Sequence, residues 1–153
     1  MEQYINKLLF KLRIELAFFL LMTIVIAVLG FFGVIPNGGL AEKGNAQTVY
    51  VINVSVIIAA FVITAVALKL FKLNTEQNLK RYTLDDAANV YHKWSLIRLA
   101  LLFVVVNAAL IAYFLTFDDT GLFVAAVVML LAVVFCTPSV SKIKEYLAKS
   151  QQQ

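Results

Sequence analysis

The chain has 153 residues, of which 62% are hydrophobic and 14% charged, and its mean hydropathy is +0.88. A soluble domain of this size needs more charged surface, so the composition excludes an ordinary water-soluble fold. The net charge of +4 would suit nucleic acid or an anionic membrane. The placement of the basic residues decides for the membrane, because they form collars at the ends of apolar segments.

In chain order, Ile5, Leu8, Leu9 and Leu12 recur at helical spacing while Glu2, Asn6, Lys7 and Lys11 face elsewhere. This pattern predicts a short amphipathic helix lying on the membrane interface. A first span follows at Ile14–Ile35 and ends at Pro36-Asn37-Gly38-Gly39. Its apolar run exceeds the ~7–15 residues of a signal-peptide core, and no small-x-small cleavage site follows, so it reads as an uncleaved anchor.

The second span is Val49–Leu70, and a polar connection from about Leu73 to Lys93 separates it from the third. Thr83 followed by Asp86 has the pattern of a helix N-cap, which predicts one helix from near Leu84 through the third span, Ser95–Leu115. Tyr91 and Trp94 are then expected at headgroup level.

Thr116-Phe117-Asp118-Asp119-Thr120-Gly121 forms a tight turn into the fourth span, Leu122–Val140. Thr137-Pro138 marks a new helix start. Val140, Ile143 and Leu147, opposed by Lys142, Lys144 and Lys149, predict a second interfacial helix with a frayed Gln151–Gln153 tail.

Three of the spans are about 20 residues long, enough at about 1.5 Å per residue to cross a hydrocarbon core roughly 30 Å thick. Threaded alternately, one face carries Lys7, Lys11, Arg13, Lys69, Lys72, Lys80, Arg81, Lys93, Arg98, Lys142, Lys144 and Lys149. The other face has Lys43 alone, beside Glu42, Asp118 and Asp119. Lys and Arg are retained on the cytoplasmic side, so both termini are expected inside. The expected fold is an all-α membrane protein: a single four-transmembrane-helix bundle over residues 1–153, with amphipathic interfacial helices at both ends.

Ionisable groups within a bilayer are costly, and only Glu15 and Arg98 qualify, because the second span leaves the membrane near Lys69 and Lys72. The Ile14-Glu15-Leu16-Ala17 segment echoes Ile97-Arg98-Leu99-Ala100, which places the two charges at similar depth on parallel spans. They either pair, bind a proton or cation, or snorkel to the interface. Asn53, Ala60, Thr64 and Ala67 share one face of the second span. Small residues recur likewise at Thr23, Ala27 and Gly30, at Ala108 and Ala112, and at Gly121, Ala125, Ala132 and Cys136, which predicts close helix packing. Asn107 is placed to bond Asn53 or Ser55 across the bundle.

His92 is the one histidine and Cys136 the one cysteine, too few donors for a haem or metal site, so no cofactor is expected. No nucleophile–base set or phosphate-binding loop is visible, and an enzyme is not expected.

The Lys93-Trp94-Ser95-x-x-Arg98 start of the third span and the Cys136-Thr137-Pro138-Ser139 end of the fourth resemble small bacterial four-helix membrane proteins of no assigned function. That resemblance implies a bacterial cytoplasmic (inner) membrane and no active-site residue. Glu15 is also similar in position to the glutamate of the small multidrug resistance transporters, but the aromatic motifs of their later spans have no counterpart here. Two functions follow as expectations. One is a non-enzymatic subunit, assembly factor or regulator of a membrane complex, bound to anionic lipid and to another membrane protein or itself. The other is a small oligomeric transporter or channel using Glu15 and Arg98.

Overall fold

The computed structural model describes residues 2–34, 46–77, 84–137 and 139–151. Five helices follow in order: α1 (Glu2–Phe31), α2 (Ala46–Gln77), α3 (Leu84–Thr116), α4 (Asp119–Cys136) and α5 (Val140–Gln151), with no strand among the described residues. The first four are long and apolar enough to cross a membrane. A segment in hydrocarbon must satisfy its backbone N–H and C=O groups internally, which these apolar runs achieve only as helices. The chain is an all-α integral membrane protein.

Helix α3 is the centre and packs against each of the other four. The most apolar window of α3 is 56% buried, against 11% for that of α1. Leu102, Phe103, Val106 and Ala109 are enclosed on all sides, and Phe103 meets the Phe19 ring of α1 at a centroid distance of 5.1 Å. The start of α1, the end of α2, the start of α3 and α5 gather at one end of the bundle, here the terminal end; the α3–α4 turn marks the other, the turn end.

Small residues set the helix spacing. Gly121, Ala125, Ala132 and Cys136 are all buried on the α3-facing side of α4, with Val128 among them. A Cβ on Gly121 would lie 2.7 Å from the Ala109 carbonyl oxygen and 2.9 Å from the Tyr113 nitrogen, so only glycine lets the backbones approach this far. Asn53, Ala60, Thr64 and Ala67 of α2 are buried, as are Thr23 and Gly30 of α1, where Gly30 receives the Phe114 ring. On α3 the expected pair is half met: Ala112 is buried and Ala108 exposed. The enclosed Ala109 takes the contact instead, because a central helix is packed on several faces rather than along one stripe.

Several expectations are revised. No interfacial helix precedes the first span; α1 runs unbroken from Glu2. Ile5, Leu8, Leu9 and Leu12 are buried against Ala87, Tyr91, Ile143 and Tyr146 rather than laid on lipid, while Lys7, Lys11 and Arg13 stay exposed. Protein offers these side chains a packed surface, which an interface does not. α5 likewise turns Ile143 and Tyr146 inward and leaves Val140 exposed. Tyr91 is core, edge-on to Phe71 and tilted against Tyr146, rather than a headgroup anchor.

Helix α1 also ends earlier than expected. Gly33 adopts φ 74°, Val34 N–H donates to the Leu29 carbonyl and Gly33 N–H to that of Gly30, a Schellman closure that needs a left-handed residue. Pro36 to Gly39, Thr83 and Pro138 lie outside the described residues. α3 begins at Leu84 as expected, and α2 and α4 run from Ala46 and Asp119, three residues ahead of the spans read from hydropathy.

Replacing Gly121 by Leu forces α3 and α4 apart and is expected to destabilise the fold by about 1–3 kcal/mol, as overpacking does. Thermal unfolding in mild detergent measures this, with Ala126→Leu, on the exposed side of the same helix, left near wild type.

Candidate functional site

Near the terminal end, helix packing brings the charged residues of the spans onto two separate faces of α3. Glu15 of α1 meets His92 of α3, with Oε1 and Nε2 2.7 Å apart; the ring N–H donates to the carboxylate. The two side chains are 22% and 27% exposed respectively, and Glu15 Oε2 is buried with no hydrogen-bond partner.

Arg98 is elsewhere. Six residues beyond His92, it is turned about 120° round α3 and displaced about 9 Å along it. Its guanidinium carbon sits 3.9 Å from the centroid of the Phe71 ring of α2, and the Cys136 thiol of α4 lies beside it. The side chain is 8% exposed and its Nε has no hydrogen-bond partner. Of the alternatives open for Glu15 and Arg98, a direct ion pair is not formed, and Arg98 does not snorkel freely. Parallel threading suggests a similar depth for both charges, but Glu15 is level with His92 instead, and the helical rotation of α3 turns Arg98 away from α1. A cation over a desolvated ring is worth about 2 kcal/mol, so Phe71 offsets part of the cost of burying Arg98.

The asparagines do not meet. Asn107 makes no hydrogen bond to Asn53 or Ser55; its Oδ1 is buried and unpartnered, and Ser55 is exposed. Asn53 instead lies beside Asp118 at the turn end. Asp118 is the N-cap of α4, accepting the Thr120 backbone N–H at 2.9 Å. The Thr120 hydroxyl first, then that N–H, hold the Asp118 carboxyl below the usual range, and Asn53 acts in the same sense. Because the folded value is the lower one, this stabilisation is full above the unfolded carboxylate value and is lost as pH falls through the folded one.

Among the described residues, no three His, Cys, Asp or Glu side chains gather where a metal ion would sit. The contact that sequence reasoning missed is His92 with Glu15. Sequence pattern alone does not supply it: His92 and Arg98 lie on different faces of α3 and about 9 Å apart along it, and only packing chooses which of them meets Glu15. The Asn53–Asp118 approach left no signal, since it joins a mid-helix residue to a turn. No protein family, no curated protein and no solved structure matches this chain. Its sites therefore rest on their own geometry.

A double-mutant cycle on Glu15→Gln and His92→Phe tests the contact between α1 and α3. Unfolding in detergent is expected to give a coupling on the order of 1 kcal/mol, typical of touching polar pairs. Glu15→Gln with Arg98→Met is expected to be additive.

Proposed function

We propose that this protein is a non-enzymatic partner of a larger membrane assembly, a small subunit or assembly factor that docks through α1. One observation carries the reading: α1 packs closely only on α3 and α5. Beyond the Gly30–Phe114 contact, little holds its far half. Phe18, Leu21, Ile24, Val28 and Phe31 stand exposed along it. Helices in lipid gain little from burying apolar surface and associate through close packing, so a span this sparsely packed has room for a second partner. The partner is another membrane protein or a second copy of this chain, and the exposed Lys7, Lys11, Arg13, Lys69, Lys72, Lys93 and Lys144 favour anionic lipid around it. Nucleic acid is not part of this reading. The same collar argues for cytoplasmic termini, and the motif resemblance for a bacterial inner membrane.

A second reading, a small oligomeric transporter, is favoured by the Glu15–His92 contact, two ionisable side chains meeting between two spans. Arg98, turned away from it, would take no direct part.

Photo-crosslinking side chains at Phe18, Leu21 and Val28 distinguish the two. Docking predicts a discrete protein adduct from all three positions in intact membranes. Lipid adducts alone, together with a proton-driven flux in vesicles that Glu15→Gln removes without loss of helicity, would move the conclusion to transport.

A further inference from the structure

At the turn end, α2 and α4 diverge to leave a cleft of about 510 Å³, lined by Val49, Tyr50, Asn53, Ile57, Asp118 and Thr120 among others. Its polar groups are unusual in kind. Asn53 is 7% exposed, faces this cleft, and leaves its carbonyl oxygen Oδ1 without a donor. A buried acceptor left unpaired is costly, and a donor entering the cleft would remove that cost. Asp118 contributes a partly exposed carboxylate, and the described segments that form and flank the cleft, residues 46–68 and 104–136, contain no Lys, Arg or His. The hydrogen bonds from Thr120 order the carboxylate without neutralising it. Two oxygen acceptors, one negative, ask for a cation that carries N–H donors. A hard metal ion needs six or more oxygens, which walls of Val49, Val54 and Ile57 do not supply. A primary ammonium needs only three acceptors, and the exposed Tyr50 ring adds a face suited to a cation.

The cleft does not end there. Ile57 also begins a second cavity of about 440 Å³ that follows the α2–α4 crevice past Ala60, Thr64 and Val127 to Leu131. Its lining is almost wholly apolar, and its rims carry Phe61 and Phe123, 80% and 71% exposed. From Ile57 to Leu68 the groove runs about 16 Å along α2, the reach of an extended acyl chain of ordinary length. It lies between two spans long and apolar enough to cross a membrane, so a chain would enter it from the bilayer rather than from water.

We propose that this crevice is a binding site for a membrane lipid with a primary-amine headgroup, its ammonium held between Asp118 and Asn53 Oδ1 and one acyl chain laid along the α2–α4 groove. The site is remote from α1 and independent of the docking role. It takes phosphatidylethanolamine over phosphatidylglycerol because only the former brings an ammonium to the carboxylate. A free long-chain amine carries the same charge but lacks the bilayer as a reservoir.

The test uses the full chain in vesicles of equal phosphatidylethanolamine and phosphatidylglycerol, extracted mildly and weighed by native mass spectrometry. Retention of phosphatidylethanolamine is expected to exceed that of phosphatidylglycerol by about tenfold, the scale of one hydrogen bond to a charged group. Asp118→Asn keeps a good N-cap and hence the fold, which circular dichroism checks, yet should bring the ratio to near one. Asn53→Leu should lower it as well. Equal retention of the two lipids, a preference unchanged in Asp118→Asn, or binding of dodecylamine without any lipid preference would each overturn the proposal.

Discussion

In hydrocarbon an apolar side chain gains nothing by leaving one greasy surface for another, so helices stay together only where their atoms fit closely. In this protein that condition is met on α3. Gly121 lets α4 approach until a Cβ would strike the α3 backbone, Gly30 lets the Phe114 ring lie on α1, and the buried small face of α2 does the same on a third side. Every other feature follows from α3 being surrounded: the poor burial of α1, the separation of His92 from Arg98, and the crevice left where α2 and α4 part.

Packing at the terminal end obeys a different balance. Ile5, Leu8, Leu9 and Leu12 sit on a helix whose other face carries Lys7, Lys11 and Arg13, an arrangement made for a boundary with water. There the hydrophobic effect does act, and it gathers these residues with Tyr91, Ile143 and Tyr146 into a second core. The result is a bundle held by fit within its apolar length and by burial at one end. α1 depends on both, through its contacts with α3 and α5.

The polar residues divide by the same geometry. Glu15 and His92 join α1 to α3, Arg98 with Phe71 and Cys136 joins α3 to α2 and α4, and Asn53 with Asp118 lies at the opposite end between α2 and α4. Polar groups in such an environment are costly, and each of these three clusters lies on a helix–helix seam. Two of them are simple fasteners in form. The third opens on a cleft, which is why it points to a ligand rather than to assembly alone.

The sequence by itself determined the solvent, the helices and the faces that pack. Hydropathy and length need no tertiary information, and the stripe of Asn53, Ala60, Thr64 and Ala67 was visible as spacing alone, as was the Gly121 to Cys136 face. The start of α3 at Leu84 was legible too, from local cap chemistry. Tertiary structure decided which polar residue meets which. A pairing between helices depends on the rotation of each rod about its axis, and six residues along α3 turn a side chain by about 120°. Sequence spacing supplies neither that angle nor the level at which α1 sits against α3, and so does not single out His92. It also could not tell that the amphipathic first residues would continue α1 and bury themselves against α5, because protein and lipid interface offer the same apolar stripe a home until the rest of the fold supplies the closer surface.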